Sequence, residues 1–226
     1  MSQAARPIRA RTIRPPTGRA PGRPRREQAH EARDRILDAA FQVFVARGYA
    51  AASMEAIARE AQVAKLTLYR HFETKQLLFA QVARRAQLSV RERLGTMVDR
   101  GLPLNEVLRE IISRLYDGYT HADYLATLRM VIAEAGRFPQ LGRAMLDDSR
   151  EVSEPLVEYL QQLKDRGQID IESPQDAVTQ ICGLAMGAGR YVLTSPSRRP
   201  ASRLHAIESL VSLFTRAWRV APKQRK

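Results

Sequence analysis

Residues 48–78 read GYAAASMEAIAREAQVAKLTLYRHFETKQLL, and this stretch decides the fold. Its apolar residues recur at helical spacing on either side of a short polar break, which predicts two short helices joined by a tight turn. Ser53 stands at a predicted N-cap, so the first helix should begin near Met54. Leu68 and Phe72 of the second helix should pack against the first. This layout is a helix-turn-helix, and it points to DNA.

The second helix of this hairpin should keep one face free of the core. Lys65 and Tyr69 are i, i+4 neighbours, and together with Leu66 and Arg70 they cover an arc that excludes Leu68. Lys and Arg donate to guanine or phosphate, Tyr hydrogen-bonds phosphate, and Leu contacts a thymine methyl group. We therefore predict that this face enters a major groove. The alternative is the solvated basic face of an ordinary helical hairpin.

The hairpin resembles that of the tetracycline-repressor (TetR) family of bacterial one-component regulators. The resemblance rests on residues in fixed register: Gly48, Tyr49, Ser53, Met54, Ile57, Ala58, Ala61, Val63, Thr67, Leu68, Tyr69, His71, Phe72, Lys75 and Leu78. It implies that Lys65, Leu66 and Tyr69 approach bases or adjoining phosphates. It also implies that a second group mainly contacts the DNA backbone: Ser53, Thr67, His71 and Lys75.

Three residues depart from the family pattern. Gln62 stands where the turn commonly has Gly, Ala64 where Ser is frequent, and Leu66 where Gly or Pro is common. A glutamine enters the left-handed backbone region at a cost of roughly 1 kcal/mol. The bulk of Leu66 means that base preferences of the family do not transfer to this chain.

Composition and charge favour a polyanionic partner. The chain has 226 residues, 44% of them hydrophobic, which suffices for one small and one larger domain. Its net charge is +13 and its pI is about 10.6. Residues 1–26 hold eight arginines and no acidic residue, which leaves 29 basic against 24 acidic residues in the remainder.

The first 26 residues are predicted to be a disordered basic leader, because five prolines exclude a helix there. Arg23, Arg25 and Arg26 belong to a segment that resembles the Gly-Arg-Pro core of an AT-hook, whose arginines enter an A·T minor groove. The alternative is a leader that only adds non-specific affinity. No segment has the apolar length of a secretory signal or a membrane span. We expect a cytoplasmic, nucleoid-associated protein.

The remaining pattern predicts an all-α chain. A first helix over 27–47, ended by a left-handed cap at Gly48, would complete a DNA-binding domain at residues 27–74. A larger helical domain for ligand binding and dimerisation would span residues 75–219, followed by a basic tail at 220–226. Its first helix should run from Lys75 to about Arg100 and act as a lever. Further on, a short helix should end near Arg150 and another should run from Val152 to Gly167.

Residues 128–141 resemble the regulatory domain of an AefR-like branch of the same family, in which a helix, an Arg-Phe-Pro turn and a further short helix recur. The resemblance implies an internal site for a small-molecule effector. Candidate pocket residues combine aromatic, flexible and polar groups: Tyr116, Tyr119, Met130, Glu134, Met145 and Met186. The alternative is that these residues belong to an ordinary core.

The last two predicted helices are apolar enough to need extensive cover. In the family the equivalent pair forms a four-helix bundle with its symmetry mate, which implies a homodimer. The interface residues implied are Gly183, Gly187, Leu204, Ile207, Val211, Phe214 and Trp218. An ordinary core within one chain is the alternative.

Catalytic signals are weak. The four histidines are scattered and Cys182 is the only cysteine, so we expect neither a thiolate metal cluster nor a disulfide within one chain. Cys182 itself should be a buried, inert thiol. We predict no enzyme activity, metal or cofactor. The chain should instead be a dimeric regulator, most often a repressor in this family, that releases its operator when an effector binds. The alternative is a basic architectural nucleic-acid-binding protein without an effector.

Overall fold

A computed structural model of the chain describes residues 25–95, 101–187, 193–194 and 200–218. Across these ranges the structure consists of helices without any strand, so the all-α prediction is confirmed. The helices are α1 (Arg25–Ala51), α2 (Met54–Glu60), α3 (Lys65–His71), α4 (Lys75–Leu94), α5 (Leu104–Tyr119), α6 (Ala122–Ala135), α7 (Pro139–Asp165), α8 (Pro174–Ala185) and α9 (Pro200–Ala217). The predicted basic tail and residues 1–24 of the predicted leader lie outside the described ranges.

The ends of α1 differ from the prediction. The helix begins at Arg25, so the last two residues of the predicted leader are helical. A proline directly before a helix does not disturb it, because the first N–H groups of a helix have no intrahelical partner. At the other end Gly48 interrupts the helix with φ 74° and ψ 164°, and a short helical turn continues to Ala51. Gly48 therefore interrupts the helix with the positive φ predicted for a glycine, but its ψ is extended and not that of a left-handed helical cap.

Helices α2 and α3 occupy the predicted stretch. The N–H of Ala56 donates to Oγ of Ser53 at 3.1 Å, which confirms the predicted N-cap. Gln62 in the turn has φ 55° and is the only described non-glycine residue with a positive φ. Ile57 and Leu68 have no exposed surface, so the hairpin core is closed beneath α1.

Two helices in the second half have unexpected lengths. Helix α4 ends at Leu94, where Gly95 adopts φ 61°, and does not continue to about Arg100 as predicted. Helix α7 is one continuous helix where two were predicted, although it contains Pro155. Pro155 has no N–H for the preceding turn, but the apolar side chains of Val152 and Leu156 are buried on either side of it. The packing of these buried side chains keeps α7 continuous through Pro155.

Helix α4 is central to the packing because it contacts α1, α5, α6 and α7. Arg84 pairs with both Asp148 and Glu151 of α7, with the nearest contact at 2.5 Å. The buried amide of Gln87 donates to the carbonyl of Met145 at 3.1 Å. These contacts join α4 to α7 by polar as well as apolar interactions.

Helix α9 packs mainly on α5, and two ion pairs accompany this contact. Arg109 binds Glu208 at 2.7 Å and Arg203 binds Asp117 at 2.6 Å. Among the described helices, none has the length and apolar character needed to cross a membrane.

Candidate nucleic-acid interface

The outer face of α3 is the candidate interface. Lys65, Leu66, Tyr69 and Arg70 are exposed, whereas Leu68 is fully buried. The exposed fraction of Leu66 is 80%, so this side chain takes no part in the core of the hairpin. The predicted division of α3 into a packed face and a free face is therefore confirmed. Contact of the free face with DNA stays a prediction.

A chain of contacts crosses this surface from α2 to α3. The Lys65 ammonium lies 2.5 Å from a carboxylate oxygen of Glu55 and 5.8 Å from the centroid of the Tyr69 ring. The hydrogen bond from Lys65 lowers the pKa of Glu55, and the same bond raises the pKa of Lys65. Both groups are therefore charged at neutral pH. Sequence reasoning missed Glu55, since nothing in a spacing of ten residues reveals that the two side chains meet.

Two predicted backbone contacts, Ser53 and Thr67, lie on the flanks of this face. The Ser53 oxygen accepts the capping hydrogen bond of α2, and its hydroxyl also hydrogen-bonds the Glu55 carboxylate, which helps to lower the pKa of Glu55. Thr67 is half-buried in the first turn of α3. Their positions suit contacts to the sugar–phosphate backbone better than contacts to base edges.

Lys75 has a structural role that the sequence did not suggest. Its ammonium donates to the carbonyls of Tyr49 at 2.9 Å, Ala50 at 3.3 Å and Ala52 at 2.9 Å. It also lies 4.5 Å from the centroid of the Tyr49 ring. The Lys75 side chain therefore ties the start of α4 to residues 49–52, which lead into α2. Because its ammonium already donates to three carbonyls, it has little ability left to bind a DNA phosphate.

His71 lies at the end of α3 and is half-buried. Its Nε2 atom is buried and makes no hydrogen bond within the described part of the chain. Burial lowers the pKa of His71, and the nearby Arg70 and Arg33 lower it further. At neutral pH the ring is therefore uncharged, so any phosphate contact would be a neutral N–H donation.

Tyr49 joins the hairpin to the second half of the chain. Its ring lies 4.9 Å from that of Phe79 on α4 and 5.1 Å from that of Phe138, which precedes α7. Glu134, near the end of α6, has a buried carboxylate oxygen without a hydrogen-bond partner in the described structure. Burial, and then the charge of Glu134, raises the pKa of Tyr49. The α6–α7 turn therefore touches the DNA-binding hairpin through one tyrosine.

The predicted pocket residues are not all brought together. Tyr116, Tyr119 and Met145 are buried, whereas Met130, Glu134 and Met186 are half-buried. Tyr119 and Met186 both lie beside Tyr124. None of the six residues lines the cavity between α4 and α7, the cavity between α1, α4 and α6, or the shallow one at the start of α5. Apart from Glu134, which lies near Tyr49, these residues therefore belong to an ordinary core, which was the alternative interpretation.

Cys182 lies in one part of this core with Tyr119, Tyr124 and Met186. The Tyr119 and Tyr124 rings are 5.3 Å apart, and the Tyr124 hydroxyl lies 4.0 Å from the sulfur of Met186. Burial raises the pKa of the Cys182 thiol to about 11. A thiol with such a pKa stays protonated at neutral pH, although Cys182 is half-buried and not fully buried as predicted.

One cavity of the described structure lies elsewhere, between α4 and α7. Its volume is about 600 Å³. Leucine and valine side chains form part of its wall, and Arg91, Glu92, Glu158 and Gln162 add polar groups. A second cavity of about 570 Å³ lies between α1, α4 and the start of α6. Periodicity alone could not reveal either cavity, because each is formed where separate helices diverge.

The predicted dimer residues fall into two groups. Ile207, Val211, Phe214 and Trp218 are at most 4% exposed, so they belong to the core of a single chain, and their assignment to a subunit interface is corrected. Leu204 is 57% exposed, and space is open around Gly183. Gly187 has φ 70°, a backbone conformation that favours glycine, so this conformation accounts for a glycine at position 187 without a helix contact. Two leucines that the prediction omitted, Leu184 and Leu213, are 39% and 43% exposed.

A capped helix-turn-helix followed by a larger helical region defines a class of DNA-binding regulators. The sequence profile of bacterial regulatory proteins of the tetR family matches residues 36–90. The profile of the AefR-like transcriptional repressor C-terminal domain matches residues 106–220, about half of the chain. The chain therefore belongs to the TetR family of transcriptional regulators.

Individual relatives agree with this assignment. The transcriptional regulator UidR of Escherichia coli (strain K12) is 24% identical over 142 residues, which cover 63% of this chain and 71% of UidR. The transcriptional activator FasR of Mycolicibacterium smegmatis is 38% identical over 95 residues, which cover 40% of this chain and 42% of FasR. These relatives and the family are transcriptional regulators, not enzymes.

Solved structures share the fold. A TetR-family regulator from Mesorhizobium loti superimposes with a TM-score of 0.73 at 25% identity, covering 85% of this chain and 99% of its own. The flavonoid-responsive regulator FrrA has a TM-score of 0.70 at 26% identity, covering 85% of this chain and 100% of its own. The described helices therefore have the arrangement found in this family.

Proposed function

We propose that this protein is a repressor that binds a pseudo-palindromic operator as a homodimer and releases it when a small molecule binds. The observation that carries the proposal is the exposed face of α3, where Lys65, Leu66 and Tyr69 stand clear of the core. The match of residues 106–220 to a repressor domain supports repression over activation. The protein would act in the cytoplasm, on chromosomal DNA.

In this proposal residues 27–74 form the DNA-binding domain and residues 75–219 the regulatory domain. Helix α3 lies in the major groove, where Lys65 and Arg70 donate to bases or phosphates and Leu66 meets a thymine methyl group. Ser53, Thr67 and His71 contact the flanking phosphates. The leader arginines, among them Arg23, Arg25 and Arg26, add affinity along the DNA.

The proposed effector site is the cavity between α4 and α7. Its volume of about 600 Å³ suits a compact organic molecule, and its wall combines apolar and polar side chains. The likeness to FrrA, a flavonoid-responsive regulator, supports a small organic effector. An effector shifts the equilibrium only if it binds the two states with different affinity. An effector that widens this cavity would shift α7 relative to α4. Because Phe138 directly precedes α7, its contact with Tyr49 would change as well.

The proposed dimer surface combines α8 and α9. Leu184 is exposed on α8, Leu204 and Leu213 are exposed on two different sides of α9, and Gly183 allows close approach of a second helix. Two hairpins held in one dimer bind two half-sites, and the second binding event gains from a high effective concentration. A short seven-residue helix needs this gain to reach specific affinity.

We expect Leu204→Glu combined with Leu213→Glu to separate the subunits without unfolding them, because both leucines are exposed in the single chain. Sedimentation should show a monomer, and operator affinity should fall while the melting temperature of the subunit changes little. Leu146→Glu is the matched control, since Leu146 is 65% exposed on a different helix. A doubly substituted protein that remains a dimer would contradict the proposed surface.

The operator proposal is tested by footprinting across the genome, with Tyr69→Ala as the variant. Discrete palindromic sites would support a regulator, whereas broad coverage would support a basic architectural protein. Tyr69→Ala should weaken binding at these sites by about 1–3 kcal/mol, because the ring belongs to the free face of α3. The control measurement is an unchanged melting temperature. Unchanged operator affinity in this variant would contradict the assignment of α3 to the groove.

A further inference from the structure

Glu55 is an unusual residue to find on a surface that faces DNA. It lies in the first turn of α2, and 57% of its side chain is exposed. Its carboxylate repels phosphates, yet it stands beside Lys65, a residue proposed to contact DNA. The distance between the Lys65 ammonium and the carboxylate is 2.5 Å, and the ammonium lies 5.8 Å from the centroid of the Tyr69 ring.

This ion pair is not needed to hold the hairpin together. Ile57 and Leu68 have no exposed surface, and Phe72 is 3% exposed, so an apolar core joins α2 to α3. The Ser53 cap already fixes the start of α2. Ion pairs between exposed side chains contribute little to folding. The effect of Glu55 should therefore appear in DNA binding.

We propose that Glu55 is a positioning residue that sets the DNA specificity of this protein. It binds the Lys65 ammonium when no operator is present and keeps this side chain beside Tyr69, in the orientation used at a base edge. The inference rests on the proposed role of Lys65 in DNA binding. It adds a residue of α2 whose function is to make the basic face of α3 selective.

Selectivity follows from two effects of opposite direction. On random DNA, binding depends on phosphate neutralisation and counterion release, and Glu55 cancels one positive charge that would otherwise take part. At the operator, a lysine that is already oriented loses less side-chain freedom when it binds, which favours that complex. Glu55 therefore weakens non-specific binding more than specific binding. A free lysine at the same place would bind any phosphate within reach.

The test compares Glu55→Gln with Glu60→Gln in the full-length chain. Both changes remove one negative charge from α2 and both residues are exposed, but only Glu55 pairs with Lys65 in the described structure. The probes are an operator fragment that the protein selects from a random DNA library and a scrambled fragment of equal length. Dissociation constants are measured for both probes between 50 and 200 mM salt, a range over which each phosphate contact changes affinity by about threefold.

For Glu55→Gln we expect tighter binding to the scrambled fragment and a steeper salt dependence, by about 0.9 in log K against log salt per subunit, so that the gain at 50 mM salt exceeds the gain at 200 mM by about threefold per subunit. Operator affinity should stay the same or fall, so the ratio of specific to non-specific affinity should fall. Glu60→Gln should leave this ratio unchanged. Equal ratios in the two variants would overturn the inference. So would weaker operator binding with unchanged binding to scrambled DNA, because Glu55 would then contact a base itself.

A second variant tests the role of Glu55 separately from the proposed DNA contact of Lys65. If Lys65→Ala leaves operator affinity unchanged, the proposed DNA contact of Lys65 is wrong. If Lys65→Ala weakens operator binding while Glu55→Gln behaves like Glu60→Gln, only the role of Glu55 is wrong. In a Lys65→Ala background, Glu55→Gln should change the specificity ratio no more than Glu60→Gln does, since its target is gone. Melting temperatures should be similar in all these variants.

Discussion

Replacing Val211 by glutamate should unfold much of the second half of the chain. Val211 is 4% exposed on α9 and belongs to the same core cluster as Ile111 and Leu115 of α5. A buried carboxylate without a partner costs about 3–5 kcal/mol, which is a large share of the 5–15 kcal/mol that typically stabilises a folded domain. Denaturant unfolding should show a lower midpoint, or the protein should fail to accumulate in folded form.

Leu213→Glu serves as the control on the same helix. Leu213 lies two residues further along α9 and is 43% exposed, so its carboxylate would remain in water in the single chain. We expect this variant to keep the unfolding midpoint of the subunit. If Val211→Glu were as stable as Leu213→Glu, the packing of α9 on α5 would be wrong and the residue would belong to a surface.

Lys75→Met should destabilise the DNA-binding hairpin by about 2 kcal/mol or more. Its ammonium donates to three carbonyls, two in the last turn of α1 and one in the loop between α1 and α2, and hydrogen bonds to charged groups contribute about 1.5–3 kcal/mol. Methionine keeps much of the apolar stem but cannot donate. The loop would then lose its tie to α4, and operator affinity should fall with the stability of the hairpin. Thermal unfolding and operator titration measure the two effects.

The matched control is Lys164→Met, which removes a lysine that donates to one exposed carbonyl, that of Glu172 at 2.7 Å. We expect only a small change in unfolding for this variant. The comparison also separates two roles for Lys75. A residue that only contacts phosphate would leave the melting temperature unchanged and reduce the salt dependence of binding by about 0.9 per subunit.

Features that depend on neighbouring residues could be predicted from the sequence. The cap at Ser53 and the opposite orientations of Leu68 and Lys65 follow from helical geometry over a few residues. The contact of Glu55 with Lys65 and the three hydrogen bonds of Lys75 depend on how helices meet in space. Neither leaves a periodic signal in the chain, so both became visible only in the structure.

Helix ends and partners were harder to predict for a related reason. Gly95 ends α4, whereas Pro155 does not end α7, because buried side chains on both sides of the proline hold that helix together. An apolar stripe such as the one containing Val211 shows that a face is covered, but not which surface covers it. The cavity between α4 and α7 presents the same difficulty, since its wall comes from helices distant in sequence.

The position of Tyr49 limits how such regulators can be recombined. Its ring touches Phe138 from the regulatory half, while Lys75 lies over the same ring and holds the loop that follows it. A DNA-binding domain transplanted from another family member would bring its own residue to position 49, without the residue that matches it at position 138. Chimeras built at the start of α4 should therefore respond to effectors only when residues 49 and 138 are transferred as a pair. An exchange of the DNA-binding half alone would therefore also change how the protein responds to an effector.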